Sequence, residues 1–222
     1  MKKFLAGGVS LCLFLVLLIL VRTADVAAIG PEETKIGLSS LNHKVSEAIG
    51  VHMLWYRITE ITGILAIGVA GVFALMGAVQ LIRRRSLLKV DREILAAGGL
   101  YAVVLGLYAL FEKVIVNYRP VIMEGDAHVE ASFPSSHTML ICCVMGSAAM
   151  LLPNYIASDG LRRLLQAVCA AMIAVTVIGR LVSGVHWLTD ILAGVLISLA
   201  LLLFFAGILE KLRKAEKAPA NA

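Results

Sequence analysis

Six apolar runs divide this 222-residue chain and leave it few folds to choose from. They cover about Phe4–Val21, Leu54–Ile82, Ile94–Leu110, Thr138–Leu152, Leu164–Ile178 and Trp187–Leu209. In hydrocarbon every peptide N–H and C=O must be satisfied within the protein, so runs of this length and character form helices. With 60% of its residues hydrophobic, the chain has too little polar surface for a water-soluble monomer. The expected fold is an all-α integral membrane bundle of about six transmembrane helices. The net charge of +5 does not imply nucleic acid, because the basic residues cluster beside the apolar runs. Cys12, Cys142, Cys143 and Cys169 lie inside those runs and read as small buried hydrophobes.

Lys2 and Lys3 open the first run and Arg22 closes it. A basic start with Val-Ala-Ala from residue 26 fits a cleaved signal peptide loosely, but the run is long enough to span, and a retained helix is favoured. Pro31, Glu32 and Glu33 open an amphipathic stretch reaching Ala48, with Leu38, Leu41, Val45 and Ile49 at helical spacing. Arg57 and Glu60 stand at the i, i+3 spacing of an interfacial ion pair. Pro153 follows the fourth span, and Lys211–Lys217 is expected to be a frayed basic tail. The organisation expected is residues 1–53 as an N-terminal helix with an outer segment, 54–210 as the membrane domain, and 211–222 as a cytoplasmic tail.

Lys2/Lys3, the Arg83–Arg92 loop, Arg162/Arg163 and the C-terminal tail fall on one side of a six-span chain. The positive-inside rule makes that side cytoplasmic and the protein a multi-pass protein of the cell membrane. The opposite, extracytoplasmic side receives residues 23–52, the polar segment 112–137 and the turn 179–186. Sequence-distant polar residues therefore meet at one membrane surface.

The chemistry gathers there. His186 and Asp190 lie one helical turn apart, so the carboxylate can hold one imidazole nitrogen and free the other to attack or carry a proton. Arg180 is a permanent planar cation suited to phosphate, and Gly184 lets the backbone break between it and His186. Pro134-Ser135-Ser136-His137 precedes an apolar helix, whose unpaired N–H groups make an anion site once a serine caps it. His137 stands at the rim, where a histidine can protonate a leaving oxygen. Lys113 and Arg119 near the end of the third span read alone as interfacial anchors, but with Arg180 they make three cations beside two histidines. Glu124, Asp126 and Glu130 show no compact metal-ligand pattern and read as solvated surface.

Together these pieces resemble the PAP2 superfamily, the type 2 phosphatidic acid phosphatases related to vanadium haloperoxidases. The family's signature is a Lys…Arg-Pro block, then Pro-Ser-Gly-His, then Ser-Arg-x5-His-x3-Asp. The third block stands here as Gly179-Arg180, His186 and Asp190 with spacing intact, and the second as Pro134-Ser135-Ser136-His137 with Ser for Gly. The first departs more: Val114 to Tyr118 leaves five residues between Lys113 and Arg119 where the family has six, and Glu112 occupies the usual Lys position. The resemblance implies a metal-independent phosphatase with no cofactor. It implies His186 as nucleophile forming a phosphohistidine, Asp190 orienting it, and His137 protonating the leaving group and then activating water. Lys113, Arg119, Arg180, Ser135 and Ser136 would hold the phosphoryl oxygens.

A lipid could keep its tail in the bilayer and present phosphate to the outer site. Phosphatidate, phosphatidylglycerophosphate and undecaprenyl diphosphate are the substrates the resemblance implies, without choosing among them. A lipid phosphotransferase would use the same residues. A non-catalytic phosphate-lipid binding or transport protein is the rival of a different class, though transport needs no His–Asp pair and no inverted repeat is evident. Oligomeric state is not legible in the sequence.

Overall fold

The computed structural model describes residues 1–217. Its helices are α1 (Lys2–Thr23), α2 (Ser39–Ile49), α3 (Met53–Arg84), α4 (Arg92–Lys113), α5 (Ser136–Tyr155), α6 (Asp159–Val182) and α7 (Leu188–Lys217). All but α2 are long and apolar enough to cross a membrane, and together they form an all-α bundle. Between α1 and α2 a two-residue antiparallel pair, Ala27–Ala28 against Lys35–Ile36, closes around a short turn at Pro31–Glu33. The amphipathic stretch expected from Pro31 is therefore helical only from Ser39.

The centre of the bundle is α5, buried along most of its length among α3, α4, α6 and α7. It carries Met139, Ile141, Cys143, Val144, Met145 and Leu151, all essentially unexposed. The other spans turn leucines, isoleucines and valines outward, as a lipid solvent permits: Leu5, Leu54, Ile64, Leu105 and Ile178 are exposed. Close approach is bought with small residues. A Cβ on Gly7 would meet the Phe204 ring at 2.7 Å, and one on Gly146 would meet Leu202 at 2.6 Å. Residues 1–53 pack into this same bundle: α1 lies along α7, with Ser10 Oγ donating to Leu196 O at 2.8 Å and Phe14 stacked on Phe133.

Two boundaries differ from the sequence reading. Pro153 does not end the fourth span but lies inside α5, which runs to Tyr155. A proline leaves the carbonyl four residues earlier without its helical donor. That carbonyl, Ala149 O, instead accepts from Gln166 Nε2 of α6 at 3.0 Å. The Lys211–Lys217 stretch is not a frayed tail: α7 continues through it, and Glu210 pairs with Lys3 and Lys214. The remainder of that tail, residues 218–222, lies outside the described residues.

The chain alternates through the bundle, so its polar ends sort into two faces. One face joins Lys3 to Glu210, Arg84 to Asp91, Asn154 to Glu93 and Arg213 to Asn154. The other gathers α2, the first turns of α3, the loop 114–135, the start of α5 and the α6–α7 turn. Arg22 Nη2 donates there to Ile115 O at 2.8 Å, and Asn42 of α2, fully buried, holds the start of α7 by donating to Thr189 Oγ1 at 3.0 Å.

Candidate active site

The α6–α7 turn is built around Gly184. Its φ of +71° suits glycine, and a Cβ there would lie 2.1 Å from Gly50 O. The turn swings His186 inward, so that its side chain is 2% exposed, while Asp190 lies in the first turn of α7. Nδ1 of His186 stands 3.7 Å from Asp190 Oδ2, within ion-pair range but beyond a hydrogen bond. Neither imidazole nitrogen has a protein hydrogen-bond partner. Burial, reinforced by the cations of Arg119 and Arg180, holds this imidazole well below its ordinary value of 6.5, which keeps the ring neutral and its lone pair available. Asp190 is fixed from other directions: Oδ2 accepts from Trp187 N at 3.0 Å and Oδ1 from Asn117 Nδ2 at 3.3 Å.

The start of α5 faces this turn. Ser135 is its N-cap, accepting from Thr138 N at 3.4 Å, and Ser135 N donates to Asp190 O at 3.0 Å. The second and third motif blocks are thereby tied together through the backbone. Ser136 and His137, one residue further on, line a cavity of about 380 Å³ that also touches His186, Arg119, Ser132 and Glu112. Leu107, Phe111, Phe133 and Met139 give one part of the lining an apolar character, and Tyr108 and Glu130 also line it.

Arg119 reaches the cavity from the loop 114–135. The two arms of that loop pair at Tyr118 and Ala131, and Arg119 Nε stands 3.2 Å from Glu130 Oε2. Arg119 Nη1 is buried without a partner, as is Ser132 Oγ. Lys113 is exposed at the end of α4 and does not line the cavity; the preceding residue, Glu112, does.

Arg180 is wholly buried and does not line the cavity, which it meets through His137. Its Nη1 donates to Thr59 Oγ1 at 3.2 Å and Glu60 Oε1 at 3.1 Å, its Nη2 donates to His137 Nδ1 at 2.6 Å, and the Tyr56 ring lies 4.9 Å away. Arg180 Nε has no partner. The interfacial pair expected between Arg57 and Glu60 does not form: Glu60 turns inward, because a buried guanidinium and imidazole need its charge more than an interfacial arginine does.

Of the residues singled out from sequence, the fold thus brings His186, Asp190, His137, Ser135, Ser136, Arg119 and Arg180 to one end of the bundle; His186, His137, Ser136 and Arg119 line the cavity, Asp190, Ser135 and Arg180 stand behind them, and Lys113 is exposed outside it. Glu60, Thr59, Tyr56, Asn117 and Ser132 were not foreseen. The first three carried a faint signal, being polar or aromatic neighbours on one face near the start of a long apolar span. Among the described residues no three His, Cys, Asp or Glu side chains group as a metal site.

A family model described as the PAP2 superfamily matches residues 94–214. Phosphatidylglycerophosphatase B of Bacillus subtilis (strain 168) is 36% identical over 106 residues, 46% of this chain and 49% of that protein. The chain therefore spans about half the length of this curated relative. The crystal structure of the transmembrane PAP2 type phosphatidylglycerolphosphate phosphatase from Bacillus subtilis superposes with a TM-score of 0.66 at 20% identity, covering 93% of this chain and 96% of that one. The bundle described above is thus a fold seen before in a membrane protein.

Proposed function

The chain belongs to the PAP2 superfamily, and on that premise we propose that it is a membrane lipid phosphatase working through a phosphohistidine. The observation that carries this reading is the convergence of two histidines, the Arg119 cation and the serine-capped start of α5 on one cavity with an apolar wall. A phosphate dianion satisfies the donors that lack protein partners there, and an acyl or prenyl chain suits the wall.

His186 is the nucleophile. Its neutral ring attacks phosphorus, and Asp190 stabilises the imidazolium that develops. Arg119, the first N–H groups of α5, and Arg180 after release from His137 neutralise the equatorial oxygens of the transition state. His137 protonates the departing oxygen, then takes a proton from the water that cleaves the phosphohistidine. Metal independence belongs to this proposal: cations and helix N–H groups do the neutralising. The substrate we favour is phosphatidylglycerophosphate, on the likeness to phosphatidylglycerophosphatase B. Phosphatidate and undecaprenyl diphosphate are the alternatives. The site faces away from the cytoplasm, because the Arg83–Arg92 loop and Arg162/Arg163 lie at the other end of the bundle.

The test is phosphate release by the purified protein in detergent with EDTA, across these three lipids. Phosphatidylglycerophosphate is expected to be turned over fastest, and His186→Ala to retain less than about a thousandth of parental turnover while still purifying as a folded protein. More than about a tenth remaining would remove His186 as nucleophile.

A further inference from the structure

The face of α3 turned toward the site carries Tyr56, Thr59, Glu60 and Gly63, at successive helical spacings of three, one and three. None of the four lies in residues 94–214, the part of the chain that the family model matches. Three of them handle Arg180, as described. Two handle His137: Glu60 Oε1 is 3.1 Å from His137 Nε2, and a Cβ on Gly63 would stand 3.1 Å from His137 Cδ2. The Cδ2–Nε2 edge of the imidazole therefore lies against bare backbone at Gly63, with the carboxylate one turn earlier at Nε2.

The tautomer follows from the donors. A guanidinium has no acceptor, so the 2.6 Å contact from Arg180 Nη2 requires a lone pair on His137 Nδ1. The proton of the neutral ring is then on Nε2 and is donated to Glu60. The charged and titratable groups facing His137 are Glu60 from α3, Arg180 from α6, Arg119 from the loop before α5 and His186 from the turn before α7. Glu60 is the acidic member of that set.

We propose that Glu60, with Gly63, is a positioning residue for the leaving-group step: it fixes His137 by Nε2 and leaves Nδ1, the edge turned toward Arg180, to deliver the proton. This rests on the phosphatase reading above. When a phosphate dianion draws Arg180 away, Nδ1 is released and takes up a proton from solvent. As a bond forms between a His186 nitrogen and phosphorus and the bond to the leaving oxygen breaks, the Nδ1 proton passes to that oxygen. In the second half Nδ1 takes a proton from water while the water oxygen bonds to phosphorus and the P–N bond breaks. Throughout, the Nε2 proton stays on His137, hydrogen-bonded to the Glu60 carboxylate, whose charge balances the imidazolium. His137–Glu60 is thus a second histidine–carboxylate pair opposite His186–Asp190, its carboxylate supplied by a helix that carries none of the motif blocks.

The experiment compares pH profiles of kcat on phosphatidylglycerophosphate for the parental protein, Glu60→Gln, Gly63→Ala and His186→Ala, each normalised to monodisperse purified protein. Glu60→Gln keeps an acceptor for Nε2 but removes the charge that balances imidazolium. Its basic limb is expected to move to lower pH by about one unit or more, with kcat at neutral pH down roughly tenfold. Gly63→Ala pushes the ring from its seat without altering a charge and is expected to lower kcat about tenfold with KM within about twofold. A merely structural Glu60 would scale the profile down without moving its limbs. An unmoved limb in Glu60→Gln, with parental activity high and His186→Ala dead, overturns the proposal and leaves the phosphatase reading standing. If Glu60→Gln does not fold, a Gly63→Ala variant at parental kcat overturns it equally. A parental protein inactive on all three lipids overturns both.

Discussion

Arg119 and Lys113 show how far one residue's position in a motif can mislead. Both were read as phosphate cations, yet Arg119 lines the cavity and holds a buried, unpartnered Nη1, while Lys113 is exposed and is not part of the lining. A charge-assisted contact is worth about 1.5–3 kcal/mol, so Arg119→Ala should cost roughly ten- to a hundredfold or more in turnover. Lys113→Ala should stay near parental turnover per folded molecule, and Glu112→Ala, which removes an acid from the cavity wall, should raise affinity for the dianion. Steady-state kinetics on the three variants decide this; a crippled Lys113→Ala would mean that the end of α4 rearranges around substrate. His186 and Asp190 were legible because both sit on one turn of one helix, where spacing alone fixes proximity. Glu60 was not. Its visible neighbour in sequence was Arg57, and the partners that claim it lie 77 and 120 residues away, on α5 and α6. Asn117, 73 residues from Asp190, was hidden for the same reason.

At the scale of elements, the long spans were legible from hydropathy and their ends were not. Pro153 reads as a stop, and only a side chain from the neighbouring helix makes continuation tolerable. The start of α2 was shifted by a similar long-range device. Asp25, at the end of the first span, accepts from Ser39 Oγ at 2.9 Å and Ser40 N at 2.8 Å, capping a helix that begins fourteen residues later. These hydrogen bonds, the backbone N–H of Ser40 first, hold its carboxyl below the ordinary 3.8. A depressed carboxylate stabilises above its unfolded value and loses that contribution as pH falls through the folded one. Asp25→Asn should therefore lower the thermal midpoint at pH 7, and the gap from the parental protein should close as the buffer approaches pH ~3. Melts in matched detergent at both pH values test this; a gap independent of pH would assign the effect to packing instead.

For the whole molecule, orientation is the property on which substrate access turns. A cysteine replacing Glu124 should react with a membrane-impermeant maleimide in intact cells, and one replacing Ser86 should react only after lysis. The native thiols leave that measurement clean: Cys142, Cys143 and Cys169 are buried, and Cys12, exposed rather than buried as its sequence context suggested, lies in the middle of α1, where a charged reagent does not reach. The reversed pattern would put the cavity in the cytoplasm. The six-span architecture was the most legible level of all, since lipid imposes one rule on every segment. Assembly order adds a last consequence. Arg180 ends buried among Tyr56, Thr59 and Glu60, and a bare guanidinium is among the costliest groups to hand to a bilayer. The ribosome makes α3 before α6, so the ring, hydroxyl and carboxylate are already in the membrane when the arginine arrives. A circular permutation that delivered α6 first would send that cation into lipid with nothing waiting for it.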